Sequence, residues 1–145
     1  IEVSPGRLEL MDMDDYLIIN DTYNANPDSM RKSIDVLFTY DGDKIAVLGD
    51  MRELGPEEAT YHKEIGKYLG DKSLKALVTV GELGRFIGEG LKCKAGADTK
   101  VFSFKNNEEA GAKLKQLLDT GDTVLIKGSR AMQMEEIIEI LKEDR

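Results

Sequence analysis

The sequence predicts an α/β fold: a Rossmann-like, doubly wound, mostly parallel sheet with an antiparallel strand or hairpin at one edge. Three observations predict it. The runs "KIAVLGD", "ALVTVG" and "DTVLIKG" are apolar through their centres, as strands covered on both faces are. Between such runs, apolar residues recur at helical spacing. The returns from helix to strand, "YDGD", "GDKSLK" and "DTGD", are mostly Gly, Asp and Lys, which is turn chemistry. Strands alternating with helices of this length build a parallel sheet.

Each element follows in order. "GRLELMDM" and "YLIIND" are two extended runs joined at Asp14-Asp15, which predicts a hairpin that adds a strand at one edge. Pro27 suits a first helical position, with Asn26 as its cap and Met30, Ile34, Leu37 and Phe38 on one face. "KIAVLGD" is the next strand. Gly55-Pro56 opens a helix with Ala59, His62, Ile65 and Leu69 aligned. "ALVTVG" leads into a glycine-punctuated helix near residues 82 to 92. "KVFSF" is a further strand, and Ala110, Leu114, Leu117 and Leu118 mark the helix after it. "DTVLIKG" closes the sheet, and Met134, Ile137, Ile138 and Leu141 the last helix. No repeat, low-complexity tract or linker interrupts the pattern, so residues 1–145 are expected to form one domain.

Bulk properties narrow the function. A chain of 145 residues buries roughly 70% of its unfolded surface. The net charge of −8 argues against nonspecific nucleic-acid binding, which needs a basic footprint. The single cysteine, Cys93, permits no internal disulfide, and with one histidine no Cys/His cluster can hold zinc. No apolar run approaches the ~20 residues of a membrane helix, and no signal peptide is visible. A cytoplasmic compartment without membrane insertion is expected. The first residue is Ile1 rather than Met, so the sequence is expected to be part of a longer chain.

In open α/β sheets, ligands bind beyond the carboxyl ends of the strands. Here those positions read "NDTYNANPDS", "GDMREL", "GELGR" and "KGSR". Three of the four are dense in hydrogen-bonding and mixed-charge residues, unlike the plain returns at the opposite edge. Asp21 can accept from a ribose hydroxyl pair. Asn24 and Asn26 each offer a donor and an acceptor, suited to an amide or a base edge. Arg52 and Arg130 can clamp a carboxylate or phosphate in bidentate fashion, and Lys127 adds a point charge. Ser129 is expected at a helix start, where free N–H groups favour an anion.

Plainer readings stand beside these. Asn26 and Ser129 serve as helix caps; Asp21 and Asn24 can satisfy local turn groups; Arg52 and Arg130 can be solvated. His62 lies on an apolar helix face and reads as a hydrogen-bonded structural residue, Cys93 as inert, and the methionines as core filler. The convergence of three loops on one edge favours binding. "VGELGRFIGEG" does not fit G-x-G-x-x-G, and no G-x-x-x-x-G-K-[ST] occurs, so this chain has no phosphate-cradling loop of its own.

Taken together, "DTYNANPDSM", "AVLGDMRELG" with His62 shortly after, and "KGSRAMQMEE" resemble the carboxy-terminal domain of the Mur ligases, over essentially the whole chain and in the right order. "GRLEL" resembles the junction from that family's central ATPase domain. The resemblance implies an ATP-dependent ligase of peptidoglycan precursor synthesis, in which ATP activates a carboxylate as an acyl phosphate and an amine displaces the phosphate. It implies D-alanyl-D-alanine as the amine and a UDP-N-acetylmuramoyl-tripeptide as the acid. ATP and Mg2+ would be held mainly by the central domain, and the amino-terminal and central domains would be this chain's own partners. Arg7 would approach the nucleotide phosphates and Asp21 the ribose, with Tyr23 and Asn24 beside the nucleotide. Asn26, Arg52, Ser129 and Arg130 would face the dipeptide, and Lys127 either anion. None of the implied roles is a catalytic or metal-ligating one, and these residues alone are expected to be inactive. Two alternatives stay open: a stand-alone α/β ligand-binding module, and a ligase of the same superfamily with another amino-acid substrate.

Overall fold

The computed structural model describes residues 4–94 and 99–143. One six-stranded sheet runs β1-β2-β6-β3-β4-β5 across the molecule. Strands β1 (Glu9–Asp12) and β2 (Leu17–Asp21) form the antiparallel hairpin, with Leu10 opposite Ile19. Its turn carries Asp14 at φ 73, a left-handed conformation that Asp tolerates better than most residues. All other pairings are parallel: β2 with β6 (Thr123–Lys127), β6 with β3 (Lys44–Gly49), β3 with β4 (Ala76–Val80), and β4 with β5 (Lys100–Phe104).

The helices are α1 (Pro27–Leu37), α2 (Glu58–Leu69), α3 (Gly84–Lys94), α4 (Asn107–Leu117) and α5 (Glu135–Lys142). On one face, Met30, Ile34 and Leu37 of α1, Ile65 and Leu69 of α2, and Ile87 and Leu91 of α3 pack against Ile19, Ala46, Leu48, Leu77 and Leu125. On the other, Ala110 and Leu114 of α4 and Ile137, Ile138 and Leu141 of α5 cover Ile18, Ile45, Val47, Val78, Val124 and Ile126. The alternation within each central strand therefore divides one apolar run between two cores, as the sequence predicts.

The start of α1 is where the sequence places it, and other boundaries depart from the sequence pattern. Asn26 caps α1 in a reciprocal capping box: its Oδ1 accepts from the Ser29 N–H at 2.9 Å, and the Ser29 hydroxyl accepts from the Asn26 N–H at 3.0 Å. Gly55-Pro56 opens only a one-turn 3-10 helix, Gly55–Glu57, before α2. Strand β5 is half exposed because it lies at the open edge, opposite the hairpin. "KGSR" does not start an α-helix. Arg130–Met132 is a single 3-10 turn, Gln133 is left-handed at φ 48, and α5 begins at Glu135. Ser129 thus has no helix N-terminus to offer an anion, and its own N–H is spent on the Asp50 carbonyl at 2.9 Å.

Helices α2 and α3 touch backbone to backbone. A Cβ on Gly66 would collide with the Ile87 carbonyl oxygen, and one on Gly90 with the Lys63 carbonyl oxygen. Those two glycines set how closely the helices lie, and α3 in turn carries the loop after β4. Among the described residues, no helix is long and apolar enough to cross a membrane.

Candidate functional site

The carboxyl edge of the parallel sheet holds two cavities. The first, of about 400 Å3, lies at the ends of β2 and β6 and is lined by Arg7, Leu8, Asp21, Tyr23, Asn24, Asn26, Ser29, Lys32, Ser33 and Lys127. Six of the nine residues singled out from the sequence line it: Arg7, Asp21, Tyr23, Asn24, Asn26 and Lys127. The second, of about 530 Å3, lies at the exits of β3, β4, β5 and β6 and takes in Asp50, Arg52, Glu58, Gly81, Glu82, Arg85, Lys105 and Met132 among its walls. Ser129 and Arg130 follow β6, the strand between β2 and β3, and line neither cavity.

The first cavity is built around Asp21. Its Oδ1 accepts from the Leu8 N–H at 3.1 Å, and its Oδ2 from Lys127 Nζ at 2.8 Å and from the Ser33 hydroxyl. Lys127 also donates to the Asn24 carbonyl at 3.0 Å. Neighbouring Asn20 points to the opposite face and orders the approach segment. Its amide donates to Glu9 Oε1 at 3.1 Å, and Glu9 Oε1 accepts the Gly6 N–H at 3.2 Å. The Tyr23 N–H then donates to the Gly6 carbonyl at 2.8 Å, and the Arg7 guanidinium lies 4.0 Å over the Tyr23 ring. The result is a pre-formed wall: a stacked, exposed cation and aromatic ring above a buried carboxylate. Such a pair offers a flat face to a base or sugar and a fork to a phosphate.

Lys127 departs from its expected part. It is 3% exposed and committed to Asp21 and Asn24, so the charge it brings to the cavity is already neutralised. Asn26 spends its Oδ1 on the helix cap and keeps only its amide nitrogen for a ligand.

The second cavity is organised by Asp50, which the sequence reading passed over. Buried at the end of β3, it accepts the first N–H of α3, from Gly84, at 2.7 Å. Its Oδ2 lies 3.6 Å from Arg52, and its carbonyl holds Ser129. One residue therefore ties together the exits of β3, β4 and β6. Gly81, at φ 97, is required here, because any side chain would strike the Asp50 carboxylate. The only available sequence signal was an acid directly after a strand in "LGDM".

His62 fixes the same loop from below. It is fully buried; Nδ1–H donates to the Glu58 carbonyl at 2.7 Å and Nε2 accepts the Met51 N–H at 2.9 Å. Both bonds are satisfied by one neutral tautomer. Burial lowers the imidazole pKa below its ordinary 6.5, against opposing contributions from the Glu58 carbonyl and the Asp50 and Glu58 charges. The structural role expected from its apolar helix face is the one observed.

The turn after Ser129 is held from α4. Asn107 Nδ2 lies 2.9 Å from the Met132 carbonyl, 3.1 Å from that of Gln133 and 2.8 Å from Glu136 Oε1. Arg130 pairs with Glu135, and Arg52 also reaches the Met132 sulfur at 3.5 Å. Arg52, Lys127 and Arg130 therefore each have an internal polar partner, while the Arg7 guanidinium rests on the Tyr23 ring. For Arg52 and Arg130, whose side chains are 52% and 48% exposed, exchanging that partner for a ligand costs little. For Lys127 it is expensive.

Comparison with known proteins places this edge in context. A family model described as "Mur ligase, glutamate ligase domain" matches residues 6–130. The UDP-N-acetylmuramoyl-tripeptide:D-alanyl-D-alanine ligase of Bacillus subtilis is 39% identical over 146 residues, covering 99% of this chain and 32% of its own length. Among solved structures, MurF from Acinetobacter baumannii superposes with a TM-score of 0.88 at 33% identity, over 98% of this chain and 31% of that one. MurF ligase from Thermotoga maritima in complex with ADP gives 0.84 at 28% identity, over 99% and 32%. The chain spans about a third of the length of these relatives.

Proposed function

The chain belongs to the Mur ligase family, and from that membership we propose that residues 1–145 form the carboxy-terminal domain of a ligase joining D-alanyl-D-alanine to a UDP-N-acetylmuramoyl-tripeptide. Identity of 30–39% with relatives of that name, over nearly the whole chain, is the observation that carries the substrate assignment. The complete enzyme is an ATP-dependent peptide ligase of the cytoplasm, acting in peptidoglycan precursor synthesis.

In this reading the first cavity takes the nucleotide. Arg7 neutralises phosphate charge, Tyr23 and Asn24 flank the nucleoside, and Asp21 accepts from the ribose through the lone pair that its bond to Leu8 leaves on Oδ1. The carbonyl end of the tripeptide, activated as an acyl phosphate, lies between the cavities. Asn26, Arg52, Ser129 and Arg130 border the path of the incoming dipeptide; the Ser129 hydroxyl, buried with no partner among the described residues, becomes available to it only when the turn around it shifts. Lys127 holds Asp21 rather than an anion. Attack of the dipeptide amine forms the amide and expels phosphate; the domain contributes orientation and exclusion of water from the reactive intermediate. Among the described residues, no group of three or more His, Cys, Asp or Glu is placed to hold a metal. In this reading the magnesium that accompanies ATP, and most of the triphosphate, are held by the rest of the enzyme.

The test is phosphate release by the complete ligase supplied with ATP, magnesium and the UDP-muramoyl-tripeptide. Release that requires D-alanyl-D-alanine, and does not occur with single amino acids, supports the reading. Release driven equally by a single amino acid would reassign the substrate within the superfamily.

A further inference from the structure

We propose that Arg85 and Lys105 receive the carboxylate of the incoming dipeptide and so set the preference for a dipeptide over a single amino acid. The inference rests on the function proposed above and concerns the far end of the second cavity, to which neither the motifs nor the comparisons assign a role.

The cavity is matched to a zwitterion. Its walls carry the carboxylates of Asp50, Glu58 and Glu82 and the cations of Arg52, Arg85 and Lys105. Asp50 is satisfied by Gly84 and Arg52. Arg85 is 59% exposed, stacked 4.6 Å over the Phe86 ring and 3.8 Å from Glu89 one turn along. The stack holds the guanidinium plane, while an exposed pair of that length is weak and exchangeable. Lys105 stands exposed immediately beyond β5, with no ion-pair partner among the described residues.

Direction and length select these two residues. The attacking amine must face the acyl phosphate, which in the proposed function lies between the cavities, on the β6 side of the second. The carboxylate must then point along the sheet edge toward β4 and β5. One added residue carries it about 3.8 Å farther from the amine, and adjacent strands are about 4.8 Å apart. Of the three cations in the cavity, Arg52 follows β3 and so stands nearest the β2 and β6 side. Arg85, after β4, lies one strand beyond, at about the reach of one added residue, and the long side chain of Lys105 closes the same cavity from β5, the strand after that.

The experiment measures steady-state phosphate release by the complete ligase and its Arg85→Ala/Lys105→Ala variant, with D-alanyl-D-alanine and with D-alanyl-D-alaninamide, which lacks the negative charge. Losing a charged hydrogen-bonding partner predicts a KM for the dipeptide raised at least about tenfold. The KM for ATP is expected to stay within about twofold, as is the KM for the amide. Arg85→Lys alone is expected to retain most of the dipeptide affinity. Dipeptide KM unchanged in the double variant, with turnover still dipeptide-dependent, overturns this proposal and leaves the proposed function standing. Equal losses for dipeptide and amide overturn it too. A parent enzyme showing no dipeptide dependence overturns the underlying function itself.

Discussion

Asp21 and Lys127 are register partners at the carboxyl ends of the parallel strands β2 and β6, joined at 2.8 Å with side chains only 8% and 3% exposed. The pair locks together the two strands whose following loops leave on opposite faces of the sheet, α1 on one and α5 on the other. That divergence opens the first cavity, so the ion pair is at once a structural tie and its floor.

Removing one member leaves a buried, uncompensated charge. Lys127→Met is expected to lower unfolding free energy by about 3–5 kcal/mol. Asp21→Asn/Lys127→Met together should cost less than Lys127→Met alone. Urea denaturation of the wild type, Lys127→Met, Asp21→Asn and the double variant checks this. An additive double variant would contradict a direct pair.

His62 predicts an acid-sensitive fold. Its folded pKa lies below the ordinary 6.5 because burial disfavours the charged ring. Between that folded value and 6.5 the unfolded chain binds the proton and the folded chain does not. The contribution is therefore complete above about 6.5 and is lost as pH falls, by up to about 1.4 kcal/mol per pH unit. Denaturation midpoints at pH 8 and 5.5 should differ more in the wild type than in His62→Gln, which cannot be protonated in that range. Equal pH dependence would mean that other groups set it.

Gly66 reverses an ordinary rule. Alanine in a helix interior is favoured over glycine by about 1 kcal/mol, yet a Cβ at this position meets the Ile87 carbonyl. Gly66→Ala is expected to destabilise by about 1–3 kcal/mol net, the range for overpacking. Thermal unfolding reads the sign directly, and a stabilised variant would show that α2 and α3 can part without cost.

The layout of the fold was legible because it is written locally. "KIAVLGD" and "ALVTVG" are too apolar to lie anywhere but mid-sheet, and Asn26-Pro27 marks its helix start unambiguously. The strand order was not legible, since nothing in "DTVLIKG" states that it inserts between the first and second parallel strands. Several details of the site depend on that insertion: it buries Lys127 against Asp21, places Ser129 on the Asp50 carbonyl, and divides the edge into two cavities. Asp50 escaped notice because its partners, Gly84 and Ser129, are remote in sequence. The 3-10 turn at Arg130 escaped because the left-handed Gln133 that ends it carries no glycine signal.

In the proposed function the sheet edge separates a nucleotide cavity at Arg7 and Tyr23 from an acceptor cavity at Arg52. The most direct measurement is the pair of KM values, for ATP and for D-alanyl-D-alanine, in the complete ligase and in its Arg7→Ala and Arg52→Ala variants. A crossed result is expected: Arg7→Ala raises the KM for ATP and spares the dipeptide, and Arg52→Ala does the reverse. Both variants raising the same KM, or neither raising either, would contradict it.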